Sequence, residues 1–194
     1  MSLPRALLSL VVLAAWNAPA AAHHPLRVVP SVFDPDGTDA VASAWQPFDH
    51  VGRALVMSKQ ATTATDAAAL ATIENVGGER LDDLGFDYWT GGACSGGAAR
   101  FDVTTEDGSL YFFGCADGKH TPSPLRHGFT RVRFHDADAT PQLATDPPWP
   151  GFGHVRVKSI VLVFDEGFDE GSGLAVLDDI DVNGVIEGHG EGCF

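Results

Sequence analysis

Arg100-Phe101-Asp102-Val103-Thr104-Thr105-Glu106-Asp107-Gly108-Ser109-Leu110-Tyr111-Phe112-Phe113-Gly114-Cys115 is the stretch on which the fold turns. Two runs of β-branched and aromatic residues flank Glu106-Asp107-Gly108. Asp-Gly between such runs marks a hairpin with a two-residue type I′ loop, whose central positions both need positive φ. With Asp107-Gly108 as that loop, Glu106 faces Ser109, Val103 faces Phe112 and Arg100 faces Cys115. Side chains alternate along a strand, so the pairing also sorts the faces. Phe101, Val103, Thr105, Leu110 and Phe112 form a core face. Arg100, Asp102, Thr104, Tyr111 and Phe113 form a mixed face of charge, hydroxyl and aromatic ring.

Outward from the hairpin, the same alternation recurs between turn signals. Strands are expected at 54–58, 69–76 before Gly77-Gly78, 81–89, 129–134, 155–164 and 175–182, with a short last rung at 185–186 after Asn183-Gly184. In 129–134, Arg131 and Arg133 share one face and Val132 and Phe134 the other. In 175–182, strict alternation puts Asp179 and Asp181 on one face and Asp178 on the other. Stretches 117–128 and 135–153 read as loops, the second framed by Pro141, Pro147, Pro148 and Pro150. Seven or eight strands with no amphipathic helix imply an all-β chain, an antiparallel β-sandwich of jelly-roll type.

The start of the chain reads as an address. Arg5 supplies a positive flank, 7–16 an apolar run, and Ala18-Pro19-Ala20-Ala21-Ala22 the small residues of a cleavage site. Residues 1–22 are therefore read as a secretory signal peptide, and the run is short for a bilayer span. Residues 23–50, broken by Pro25, Pro30, Pro35 and Pro47, read as an irregular N-terminal segment, with room for short edge pieces at Val28-Val29 and from Val41 to Trp45. Residues 51–187 form the sandwich and 188–194 a C-terminal tail. The expected location is extracytoplasmic, secreted or periplasmic, where disulfides persist. Cys94 and Cys115 flank the hairpin and can bridge. Cys193 is then left over, free or available for a bridge between chains, although three cysteines allow three single-bridge choices.

The 194 residues carry 12 Lys+Arg against 26 Asp+Glu, a formal net charge of -14. Phosphate-backbone binding needs clustered Lys and Arg, so nucleic acid is excluded as a general partner, as is electrostatic docking on anionic lipid. Asp accounts for 19 of the 26 acids. Asp is the shorter acid, favoured in turns and as a calcium ligand.

Leu84-Gly85-Phe86-Asp87-Tyr88, a Gly/Cys loop, Ala99-Arg100-Phe101-Asp102-Val103 and Tyr111-Phe112-Phe113-Gly114-Cys115 follow one another in an order that resembles uncharacterised secreted bacterial β-sandwich proteins. Ile160-Val161-Leu162-Val163-Phe164-Asp165-Glu166-Gly167 and Leu177-Asp178-Asp179-Ile180-Asp181-Val182-Asn183-Gly184 are similar to the closing strands of jelly-roll carbohydrate-binding modules. The resemblance spans about 53–184. It implies a non-catalytic module for an extracellular carbohydrate. In related jelly rolls a structural calcium joins an early loop to an Asp of the last strand, which here implies Asp179 with Asp34 or Asp36.

Sugar binding needs rings for the apolar sugar faces and polar groups for the hydroxyls. The mixed hairpin face, Arg100, Asp102, Thr104, Tyr111 and Phe113, offers both, and is the expected ligand site unless it packs beneath 135–153. Trp89 and Trp149 are further platform candidates. Two other classes compete. One is a surface or matrix structural protein without a small ligand. The other is a copper-dependent polysaccharide oxidase, in which His23, made N-terminal by cleavage, chelates Cu(II) through its amine and imidazole, with His50, His127, His135 or His154 completing the brace. Gly92-Ala93-Cys94-Ser95-Gly96 has the outline of a nucleophile motif but continues into a strand rather than a helix. No P-loop, dinucleotide fingerprint or C-x-x-C zinc pair is present.

Overall fold

The structure, a computed structural model, describes residues 25–49, 52–95, 97–135, 147–188 and the backbone of 143–144. The signal-peptide reading, His23, His50, Cys193 and nearly all of the expected tail fall outside these residues. Thirteen strands are described: β1 Arg27–Phe33, β2 Val41–Phe48, β3 Gly52–Lys59, β4 Ala68–Glu74, β5 Leu84–Trp89, β6 Arg100–Thr105, β7 Leu110–Gly114, β8 Lys119–Pro122, β9 Phe129–Phe134, β10 Leu143–Ala144, β11 Val157–Phe164, β12 Leu174–Val182 and β13 Val185–Glu187. Among the described residues no helix is long and apolar enough to cross a membrane.

The strands form two antiparallel sheets packed face to face as a β-sandwich. One has the order β1-β4-β11-β6-β7-β10. The other has the order β2-β3-β12-β5-β9-β8, with β13 beside β12. The last two long strands enter the centres of the sheets, β11 between β4 and β6 and β12 between β3 and β5. This interleaving is that of a jelly roll, and it fits the near-continuous apolar character of 160–164.

The irregular reading of 23–50 is corrected: the short edge pieces allowed at Val28-Val29 and from Val41 to Trp45 are full edge strands. β1 pairs with β4 along its whole length and β2 pairs with β3 from Val41 to Phe48. Pro30 and Pro47 lie within these strands. Both strands are sheet edges, where a missing N–H breaks no ladder on the open side. The loop expected over 117–128 likewise yields an edge strand, β8, ending at Pro122.

The core is built from both inner faces. Phe86 and Phe134 of one sheet meet Phe101 and Phe113 of the other. Ring centroids lie 5.3 Å apart for Phe86–Phe101, 6.1 Å for Phe101–Phe134 and 5.6 Å for Phe113–Phe134. All four rings are fully buried. Each contributes about 1.5–3 kcal/mol relative to an exposed position.

The hairpin exists, but its register differs by one residue from the expectation. Val103 faces Tyr111, Asp102 faces Phe112 and Arg100 faces Gly114. The loop has three residues, with Thr105 N donating to Ser109 O at 2.9 Å and Gly108 N to Thr105 O at 2.9 Å. Gly108 alone supplies the left-handed residue, at φ 91°. Asp107 closes the turn by accepting from Thr105 Oγ1 at 2.6 Å and from Ser109 N at 3.0 Å. A one-residue slip turns every side chain of β7 over. Tyr111 and Phe113 therefore point into the core, and Leu110 and Phe112 join Arg100, Asp102 and Thr104 outside.

Cys94, in the loop after β5, is bonded to Cys115, at the end of β7, with Cα atoms 5.2 Å apart. The bridge links strands of opposite sheets and removes Cys94 from consideration as a nucleophile.

Candidate functional site

The mixed face expected to bind sugar is divided by the register. Arg100, Asp102 and Thr104 remain together outside, whereas Tyr111 and Phe113 pack against Trp149 at centroid distances of 4.8 and 5.1 Å. Phe152 closes the cluster 5.2 Å from Trp149. These rings are core, and Trp149 is a loop anchor rather than a platform. On the outer face, the Arg100 guanidinium holds Asp165 through Nη1 at 2.7 Å and Asp102 through Nε at 2.8 Å, and lies 5.2 Å from the Phe112 ring centre. Burial pushes the Asp102 carboxyl up to about 6, although Arg100 pulls in the other direction. With its donors engaged in this way, Arg100 acts as a clamp between β6 and the end of β11.

The outer face of the second sheet carries a more extensive polar system, and it changes character along the strands. At one end, Phe129, Val176 and Ala54 form a small apolar cluster with Phe48, Val56, Trp89 and Leu174 against it. Trp89, the other platform candidate, is thus an anchor for Phe48, with ring centres 5.3 Å apart. Arg126 lies over the Phe129 ring at 4.4 Å and pairs with the buried Asp178 and with Asp49.

In the middle, β5, β9 and β12 supply a buried ionic ladder. Arg131 on β9 reaches Asp87 on β5 at 3.1 Å and Asp181 on β12 at 2.5 Å, and donates to Asp179 O at 2.8 Å. Ser123 also donates to Asp87. Strict alternation would point Asp181 into the core. The β12–β5 register shifts between Asp178 and Asp181, with Asp179 at φ 45°. This bulge places Asp178 and Asp181 on one face and corrects the expected pairing of Asp179 with Asp181. Burial raises the Asp181 carboxyl above the ordinary carboxylate range against the pull of Arg133 and Arg131.

At the far end the face opens into a cleft of ≈ 370 Å³ lined by Asp83, Lys119, Thr121, Arg133 and His135. The alternation that puts Arg131 outward also puts Arg133 and His135 outward, and Lys119 lies directly opposite Arg133 on β8. Arg133 is held by Asp83 and, at 2.9 Å, by Asp181. Its guanidinium is therefore fixed in place at the cleft wall. Asp83 Oδ1 is buried and takes no hydrogen bond. The alternation of Arg131 and Arg133 was visible in the sequence. That β8 is a strand, and that Asp83 comes alongside, was not.

The expected calcium ligands do not form a common site. Asp34 and Asp36 lie in the turn after β1. The Asp34 carboxylate accepts from Thr38 Oγ1 at 3.1 Å and Asp39 N at 2.8 Å. Asp179 is buried in the bulge of β12, in the other sheet. Among the described residues, no three His, Cys, Asp or Glu side chains group as a metal centre. One oxygen cage does occur. The buried Lys59 ammonium donates to the carbonyls of Thr63, Thr65 and Asp165 at 3.1, 2.7 and 2.8 Å. The loops at 61–65 and 165–169 are thereby tied together by the chain's own cation.

Comparison of the chain with models of protein families, with curated proteins and with solved structures gives no match.

Proposed function

We infer that the protein is a non-catalytic binding module of an extracytoplasmic compartment and that its ligand is a carbohydrate. The observation carrying this reading is the cleft at the β8–β9–β5 end of the second sheet. Sugar hydroxyls are recognised by donors and acceptors held in fixed directions, because every side chain that must be ordered on binding subtracts from affinity. Arg133 is ordered in advance by Asp83 and Asp181, Lys119 and Thr121 stand on strand backbone, and the cleft is open to water. The site proposed from the sequence thus moves from the hairpin face to the opposite sheet. The Cys94–Cys115 bridge and the signal-like start of the chain support the compartment.

The test is a glycan-array screen of the exported protein, run with calcium and with EGTA. Retention on a defined set of glycans, lost when Thr121→Trp fills the cleft, is expected. No glycan held above background in either buffer would overturn the reading.

A further inference from the structure

Asn183 is the one asparagine of the chain that precedes a glycine. Val182 pairs with Val185, so Asn183-Gly184 is the two-residue loop between β12 and β13. Both residues take the left-handed φ such a loop needs, 55° and 80°. Asparagine is a thermolabile residue, and it is most so before glycine, where no side chain shields the attacking nitrogen.

The fold engages every group that deamidation would use. Asn183 Oδ1 accepts from Asp82 N at 2.7 Å and from Asp83 N at 3.1 Å, and Nδ2 donates to Arg80 O at 2.6 Å. The Asn183 backbone N–H donates to Asp83 O at 3.1 Å. The Gly184 N–H donates to Asp181 Oδ1 at 2.7 Å. One carboxamide thus fastens the β12–β13 turn to residues 80–83, and Asp83 in turn holds Arg133.

We propose that Asn183 is a one-way modification site: the closed turn protects it from deamidation, opening exposes it, and the product no longer restores the anchor. Attack requires Gly184 N to leave Asp181 and the carboxamide to swing off its three backbone partners. The Gly184 nitrogen then gives up its proton and bonds to Asn183 Cγ. The Cγ–Nδ2 bond breaks, and the amide nitrogen leaves as ammonia with that proton. Water opens the resulting succinimide at either carbonyl, giving an aspartate or its isoaspartyl isomer. The aspartate sets a carboxylate oxygen against Arg80 O, two acceptors where a donor stood. The isomer adds a methylene to the backbone of a two-residue loop and spoils the β12–β13 register. Both products loosen 80–83, and with it the seat of Arg133.

The full chain is incubated in warm, mildly alkaline buffer, once folded and once unfolded in guanidinium, and conversion at Asn183 is read by peptide mass. Conversion is expected to be at least about tenfold slower in the folded protein, because only the opened fraction reacts. Equal rates would overturn the protection. Converted and unconverted chains are then separated by their charge difference and refolded side by side. Faster amide exchange at 80–83 and 185–187, with a lower denaturation midpoint, is expected of the converted chain alone, and failure of that chain alone to refold supports the proposal equally. Matching exchange and midpoints would overturn the one-way character. Asn183→Gly keeps the left-handed turn and removes the carboxamide. It is expected to show the same local exchange, and full protection of its 80–83 amides would show that the carboxamide is not the anchor and overturn the proposal.

Discussion

Arg133 on β9 reaches Asp181 on β12 at 2.9 Å across the whole width of β5. The residue it passes over is Gly85, paired with Arg133 on one side and Asp181 on the other. A Cβ built at Gly85 would stand 2.8 Å from Val132 O and about 3.5 Å from the Arg131 guanidinium. The missing side chain is the lane through which two arginines of β9 reach an acid two strands away. Gly85→Val is expected to lower stability by about 1–3 kcal/mol, the range for overpacking, and to weaken ligand retention by unseating Arg133. A chemical-denaturation midpoint equal to wild type would show that the lane is not needed.

Asp181 is the shared acid of the ladder, bound by Arg131 and Arg133 together. Asp181→Ala leaves the buried Arg131 with half its carboxylate environment. Removing one partner of a buried pair costs about 3–5 kcal/mol, and a loss of that order is expected in urea titration. Replacing Arg131, Asp87 and Asp181 together by apolar residues of similar volume is expected to cost less than Asp181→Ala alone.

Asp102 gives stability a pH dependence whose sign is set by burial. Its carboxyl is raised from 3.8 to about 6 in the folded protein. Below about pH 4 both states hold the proton and the group contributes nothing. Between about 4 and 6 the native state binds more protons, so stability falls as pH rises. Above 6 the full penalty is present, about 3 kcal/mol for a shift of this size. Asp102→Asn keeps an acceptor for Arg100 Nε and removes the titration. The variant is expected to gain on wild type between pH 4 and pH 7, read as the difference between the two stability curves. Parallel curves would contradict it.

Lys59→Met keeps the stem and deletes the ammonium held by Thr63, Thr65 and Asp165. Three carbonyls lose their common donor, at a cost of about 1–3 kcal/mol. Faster amide exchange confined to 61–66 and 165–169 is the expected signature. Lys59→Arg is not expected to restore protection, because a planar fork does not fit carbonyls converging on one point.

Cys94 and Cys115 close a loop with a sequence separation of 21. Cross-linking a loop of this length restricts the unfolded chain by about 3 kcal/mol. The Cys94→Ala, Cys115→Ala double variant is expected to lose about that amount while retaining far-UV β-structure, with melting insensitive to reductant. Reductant-insensitive melting of the wild type would place the bridge outside the stabilising interactions.

The sequence by itself determined the all-β class, the positions of eight strands and the bridge-competent cysteines. Each is written locally, in period-two alternation, turn residues and spacing. It did not determine the β7 register. Two- and three-residue loops over Glu106-Asp107-Gly108 both use a left-handed glycine, and only packing of Tyr111 and Phe113 against Trp149 and Phe152 decides between them. The same holds at the edges. Pro30 and Pro47 read as breaks until the sheets supply an open side on which a missing N–H costs nothing. The partners of Arg131 and Arg133 were equally hidden. Reaching Asp181 needs the bulge in β12, the gap at Gly85 and the order β12-β5-β9, and the cleft beside Lys119 exists only once β8 adds to that edge. Alternation along one strand states which side chains share a face. Which face is buried, and which charges meet across strands distant in sequence, is a property of the assembled sheets.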